Sequence, residues 1–210
     1  MRLIAHRGFA LRFPENTVFA AAAAAEVADL VEVDVRRCGT GEPVVVHDGT
    51  VDRVTDGTGR VADHSLSALR DLDVLDSGEP IPTLRAVFDA VPASVGVNVE
   101  LKEPEVAADA VAVAADADND VLVSSFDPAV PLAHIFEAGP REGLATAREF
   151  GCAAVHPYHE CCTAAFVERA HAGGLSVHAW TVADAATADR LHEVGVDGVI
   201  ADRPGVLEAA

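Results

Sequence analysis

Short β-forming runs alternate with alanine-rich helical stretches along nearly the whole chain, and this alternation limits the fold more than any other feature. The runs are "RLIAH" (2–6), "LVEVDV" (30–35), "VGVNVEL" (95–101), "DVLVSSF" (120–126), "PLAHIF" (131–136), "AAVHP" (153–157), "LSVHAW" (175–180) and "DGVIA" (197–201). Near-continuous apolar runs of this kind fit parallel strands buried on both faces. Between them the pattern predicts helices over 16–27, 83–90, 105–116, 142–150, 163–172 and 184–194. Gly151, Gly173, Gly174 and Gly195 fall where helix C-caps are expected. The expected fold is therefore α/β, an irregular (β/α)8 TIM barrel. At 210 residues the chain is shorter than the roughly 250 usual for that architecture.

Two segments break the rhythm. The link 36–43 is too short for the dozen or so residues of a parallel crossover and carries the turn chemistry of "CGTGEP". "PVVVHD" (43–48) is thus expected to fold back as a hairpin partner of the second strand. Residues 49–80 are polar and turn-rich, with one short helix expected within 65–73. The chain, 1–210, reads as one domain with 49–80 a small insertion above the barrel mouth.

The formal net charge of −19 argues against nucleic acid or an anionic membrane surface as a partner. No apolar run approaches the roughly 20 residues of a membrane span, and the first strand begins too early for a signal peptide, so a cytoplasmic protein is expected. The cations are fourteen Arg and a single Lys. Abundant acid with scarce Lys suits a halophilic setting, where salt screens self-repulsion; a GC-rich coding sequence favours the same residues. Cys38, Cys152, Cys161 and Cys162 have neither disulfide-framework nor zinc-knuckle spacing and are expected to be reduced.

Barrel enzymes carry their chemistry at the C-terminal ends of the strands. Those ends here hold His6 and Arg7, Glu32 and Asp34, Glu100 and Lys102, Ser125 and Phe126, His156, Trp180 and Asp202, with His47 ending the hairpin strand. Glu32 and Asp34, two apart, share one strand face, and Glu100 adds a third carboxylate. Three carboxylates without thiolates suit a hard divalent cation such as Mg²⁺ or Ca²⁺; a salt-bridge cluster with Arg7, Arg36 and Lys102 is the other reading. Lys102, the sole lysine, follows Glu100 on the same face and has the compact charge that binds phosphate. His6 and His47 rise to the same mouth, where two imidazoles can serve as general acid and base. Of the other histidines, His64, His171 and His192 read as exposed, His134 and His178 as core candidates, and His156 as intermediate near the mouth.

With these residues in place, the sequence resembles the glycerophosphodiester phosphodiesterases. The resemblance rests on "AHRGFALRFPENT", "ADLVEVDVRRCGTGEPVVVHDGTVDRVTDGTGRVAD", "IPTL", "VNVELK", "VLVSSFDP", "HAWTV" and "GVDGVIADRP", in family order over nearly the whole chain. It implies a divalent cation (Mg²⁺ or Ca²⁺, or Mn²⁺) on Glu32, Asp34 and Glu100, with His6 and His47 as the acid–base pair. It places Arg7 and Lys102 near the phosphoryl group, Glu15 in a positioning role, and Phe126 and Trp180 as walls of the substrate pocket. The implied reaction turns a small glycerophosphodiester and water into glycerol phosphate and an alcohol. A lysophospholipid phosphodiesterase and a non-catalytic phosphodiester-binding barrel are the competing readings. One departure is visible: 127–150 is compressed, and the helix after "SSF" is expected to shrink to a turn.

Overall fold

The computed structural model describes residues 1–127 and 133–207. Its strands are β1 (Arg2–Ala5), β2 (Leu30–Arg37), β3 (Pro43–Val45), β4 (Gly96–Leu101), β5 (Val121–Ser125), β6 (Ala133–Phe136), β7 (Ala154–Pro157), β8 (Ser176–Val182) and β9 (Gly198–Ala201). Eight of them are parallel, in the order β1-β9-β8-β7-β6-β5-β4-β2, and a β1–β2 pairing completes the ring of a (β/α)8 barrel. As the short link requires, β3 pairs antiparallel with β2 outside the ring, setting Val45 opposite Val35.

The helices are α1 (Val18–Ala24), α2 (Leu66–Arg70), α3 (Leu84–Ala90), α4 (Ala107–Ala115), α5 (Pro140–Glu149), α6 (Ala164–Ala172) and α7 (Ala185–Glu193). All but α4 start at a side-chain cap or stop at a glycine. Thr17, Ser65, Thr83, Thr163 and Asp184 cap α1, α2, α3, α6 and α7 by accepting a backbone N–H three residues on, a contact worth about 1 kcal/mol each. Gly151, Gly174 and Gly195 follow α5, α6 and α7 at positive φ. The abbreviation expected after "SSF" falls mostly on 128–132, outside the described residues, as do the first two residues of the run 131–136.

The strand pattern separates two environments. In β2 the alternate residues Val31, Val33 and Val35 face outward and pack with Ala21, Ala24, Leu84 and Val87 beneath α1 and α3. Burying each valine stabilises by roughly 1.5–3 kcal/mol, and that outer layer anchors the strand. The intervening Glu32 and Asp34 then have to face the barrel interior. Ile4, Leu30 and Ile200 form a small apolar plug there, with Trp180 against it. A separate cluster of Val44, Val46, Val51, Val54, Val61, Leu69, Val74 and Ile81 gives the excursion after β3 its own packing. Among the described residues, no helix is long and apolar enough to cross a membrane.

Candidate active site

Register brings the carboxylates together. β2 and β4 pair with Glu32 opposite Asn98 and Asp34 opposite Glu100, so adjacent inward positions of two strands form one acidic patch. One oxygen from each of Glu32, Asp34 and Glu100 lies within 4.8 Å of the others, and all three residues are buried. Two cations answer them. Lys102 Nζ is 2.8 Å from Asp34 Oδ1 and also contacts Glu100, while Arg7 Nε is 3.2 Å from Asp34 Oδ2. Three negative charges against two positive leave the cluster one charge short, and Glu32 Oε1 is a buried oxygen with no hydrogen-bond partner among the described residues. An unpaired buried oxygen in an all-oxygen cluster fits a hard divalent cation.

The protonation pattern follows from that shortage. Burial, then the neighbouring charges of Asp34 and Glu100, push Glu32 up to about 8. Burial and Asp34 likewise raise Glu100. Asp34 is buried too, but Lys102 and Arg7 outweigh that and hold it well below the usual carboxylate range. Lys102 loses charge stability on burial and regains more from Asp34 and Glu100, so it stays a cation.

The turn after β1 delivers the next groups. Arg7, Gly8 and Phe9 all have positive φ (50°, 74° and 67°), which folds the chain sharply off the strand. A Cβ on Gly8 would lie 2.8 Å from the Ala20 backbone, so only glycine lets the turn sit against α1. The turn aims the Arg7 backbone N–H at Glu32 Oε2, 2.8 Å away. Asn16, another left-handed residue, is not a helix cap. Its side chain donates to Asp34 Oδ2 at 2.9 Å and accepts the Asp34 backbone N–H at 3.2 Å, fixing the carboxylate, while Thr17 does the capping.

Each of the two mouth histidines has a carboxylate behind it. His6 Nδ1 is 2.5 Å from Asp202 Oδ1, and His47 Nδ1 is 2.6 Å from Asp48 Oδ1. With Nδ1 engaged, Nε2 of each ring is left for chemistry. Burial would lower His6, but Asp202 and Glu32 outweigh it and the imidazole is raised. Burial dominates at His47, which is lowered despite Asp34 and Asp48.

A cleft of about 150 Å³ is lined by His6, Arg7, His47, Lys102, Phe126 and Trp180 with Glu32 and Glu100 of the acidic cluster. Phe126 and Trp180 meet edge to face, their centroids 5.7 Å apart. Asp34 is 0% exposed and reaches the cleft only through its contacts with Lys102 and Arg7, and the residue expected at the site that the cleft leaves furthest aside is Glu15. That side chain sits behind the cleft, where it accepts from Arg7 at 3.1 Å and from Arg53 at 2.7 and 3.0 Å. Sequence reasoning missed the partners Asp48, Arg53 and Asn16, and passed over Asn98 in the cleft floor. His156 is fully buried beneath the mouth, paired with His178. His171 and His192 are exposed as expected, His178 is core, and His64 and His134 are half-buried.

Residues 6–120 and 107–206 match the model of the glycerophosphoryl diester phosphodiesterase family. The chain belongs to that family. A glycerophosphodiester phosphodiesterase of Caldanaerobacter subterraneus subsp. tengcongensis is 31% identical, over 98% of this chain and 95% of its own. An Oleispira antarctica phosphodiesterase, solved in complex with the product sn-glycerol-3-phosphate, superposes with a TM-score of 0.92 at 28% identity, covering 100% of this chain and 97% of that one. A glycerophosphodiester phosphodiesterase from Thermotoga maritima gives a TM-score of 0.83 at 25% identity, covering 96% and 94%. Membership makes the protein a phosphoric diester hydrolase.

Proposed function

We propose that the protein hydrolyses small glycerophosphodiesters to glycerol phosphate and an alcohol, using His6 and His47 as the acid–base pair and a divalent cation held by Glu32, Asp34 and Glu100. The observation that carries this reading is the convergence of two carboxylate-backed histidines and a cation-deficient carboxylate triad on one cleft. The bound cation would supply Lewis-acid stabilisation of charge on the phosphoryl oxygens.

The chain's own residues do the rest. Arg7 and Lys102 hold positive charge beside the phosphoryl position, where burial makes it more effective than in water. One imidazole takes the proton from the attacking hydroxyl, and the other gives a proton to the leaving alkoxide. Asp202 and Asp48 fix the tautomers so that Nε2 faces the reaction. Glu15 positions Arg7, and Phe126 with Trp180 form an apolar wall for the substrate. Residues 49–80 form an insertion over the mouth of one domain, tied to it through Arg53 and Glu15.

Four free thiols fit a reducing, cytoplasmic compartment, and the charge of −19 fits a high-salt interior. The test is hydrolysis of glycerophosphocholine and glycerophosphoethanolamine at low and high KCl. Activity should vanish with EDTA and return with Mg²⁺, Ca²⁺ or Mn²⁺. Full activity in the double variant His6→Ala, His47→Ala would rule the mechanism out.

A further inference from the structure

Arg36 follows Asp34 by two residues on β2, so it occupies the strand face of Glu32 and Asp34. Its guanidinium makes its contacts away from the acidic cluster. Nε donates to the His47 carbonyl at 2.8 Å, and Nη1 donates to Glu103 Oε2 at 3.1 Å. The other oxygen of Glu103, Oε1, accepts the Arg37 backbone N–H at 2.8 Å. Glu103 stands just past the end of β4. One guanidinium therefore joins His47 to the ends of both strands that carry the carboxylates.

His47 has few other backbone ties to the barrel. β3 ends at Val45. Among the described residues, the last backbone hydrogen bond from the hairpin to β2 runs from the Val46 N–H to the Asp34 carbonyl, at 3.0 Å. Asp48 holds the imidazole through Nδ1, but it is the next residue in the chain and moves with His47. Arg53 ties Asp48 to Glu15 from a position 47% exposed. The side chains of Arg36 and Glu103 are better covered, at 20% and 29%. A guanidinium suits the place because its planar fork serves two acceptors in fixed directions, which a lysine ammonium does not. Its grip is on the main chain, so it sets where the ring stands relative to Glu32 and Asp34. Arg36 does not line the cleft, so any effect on the reaction has to pass through His47.

We propose that Arg36 is a positioning residue of the hydrolytic site: locked by Glu103, it holds the backbone of His47 in place against β2 and β4. This rests on the reading of His47 as one of the acid–base pair and adds what fixes its distance from the reacting phosphodiester. A misplacement of about 1 Å in such a group can cost on the order of 10²-fold in rate.

Steady-state kinetics on glycerophosphocholine with Mg²⁺, in the wild-type and His47→Ala backgrounds, test the brace. Arg36→Met should lower kcat by about 10–100-fold and leave KM within about twofold. Arg36→Lys keeps the charge and loses the fork, and should fall to within about threefold of Arg36→Met. In the His47→Ala background, Arg36→Met should cost less than about twofold more, because the residue through which it acts is gone. Glu103→Ala frees Arg36 without removing it. It should lower kcat by about 3–10-fold, again only where His47 is present, and it carries the test if melting curves show that Arg36→Met fails to fold. Wild-type kcat per folded molecule in Arg36→Met or Arg36→Lys would overturn the brace, and so would losses that multiply fully with that of His47→Ala. If His47→Ala is itself fully active, the acid–base reading falls and the brace with it. If His47→Ala is impaired and the Arg36 variants are not, the brace alone falls.

Discussion

His6 Nδ1 lies 2.5 Å from Asp202 Oδ1, a contact that joins the end of the first barrel strand to the residue just past the last. It selects one tautomer of His6 and raises the imidazole against the opposing effect of burial. Asp202→Asn keeps the shape and removes the charge. The expected result is a fall in kcat of roughly 10–100-fold, part of the 10²–10⁴ that general acid–base catalysis contributes, with KM nearly unchanged. Steady-state kinetics on glycerophosphocholine would decide it, since a mainly structural Asp202 would lower melting temperature and leave kcat per folded molecule intact.

Glu32 is the least compensated member of the acidic cluster. Its Oε2 accepts from the Arg7 backbone while Oε1 has no partner, and the cations both contact Asp34 instead. Glu32→Gln removes the carboxyl whose ionisation burial and Asp34 oppose, and leaves an acceptor for Arg7. Without metal the variant should be more stable than wild type by about 1 kcal/mol, or roughly 2–4 °C in melting temperature. It should also lose the stabilisation that Mg²⁺, Ca²⁺ or Mn²⁺ gives the wild type. Scanning calorimetry with and without each metal checks both halves; a wild-type metal response in the variant would count against Glu32 as a ligand.

Glu15 couples the mouth to the excursion after β3, because it accepts from Arg7 and Arg53 at once. It is the more buried partner, with 11% side-chain exposure against 47% for Arg53. Glu15→Gln should therefore raise KM by about tenfold through a displaced Arg7, as misplacement of a binding group does. Arg53→Met should cost no more than about threefold, in line with an exposed ion pair. Measuring KM in both variants orders the two effects, and equal effects would mean that Glu15 acts through the excursion and not through Arg7.

How much of this was legible follows from which interactions are local. The carboxylates stood out because polar residues at period two interrupt apolar strands, so Glu32, Asp34 and Glu100 had nowhere to face but inward. Asn98 obeyed the same rule in "VNVELK" and was passed over for want of a charge. The hairpin was legible because a short link forbids a parallel crossover. Asp202 ended a visible strand, yet its contact with His6 spans 196 positions and nothing local encodes it. Arg53 lies in turn-rich sequence without periodicity, where pattern carries no direction. Asn16 stands in a Pro-Glu-Asn-Thr turn with no periodicity to give it a direction; the left-handed backbone that turns it toward Asp34 is a property of the folded turn.

The buried pair His156 and His178 should set part of the acid limit of stability. Burial lowers both, and His178 is pushed down to about 4 from an ordinary 6.5. Between those values the unfolded chain holds a proton at His178 that the folded chain does not. The stabilising contribution is therefore complete above about pH 6.5 and is lost as pH falls toward 4, which amounts to about 3 kcal/mol for His178 alone. The raised carboxylates Glu32 and Glu100 act in the opposite sense, so the total slope is not diagnostic, but a comparison of variants is. His178→Asn keeps a polar group near His156 Nε2 and removes the titration. Urea unfolding from pH 4.5 to 7.5 should show a shallower loss of stability in His178→Asn than in wild type, and parallel curves would exclude His178 as a source of acid lability.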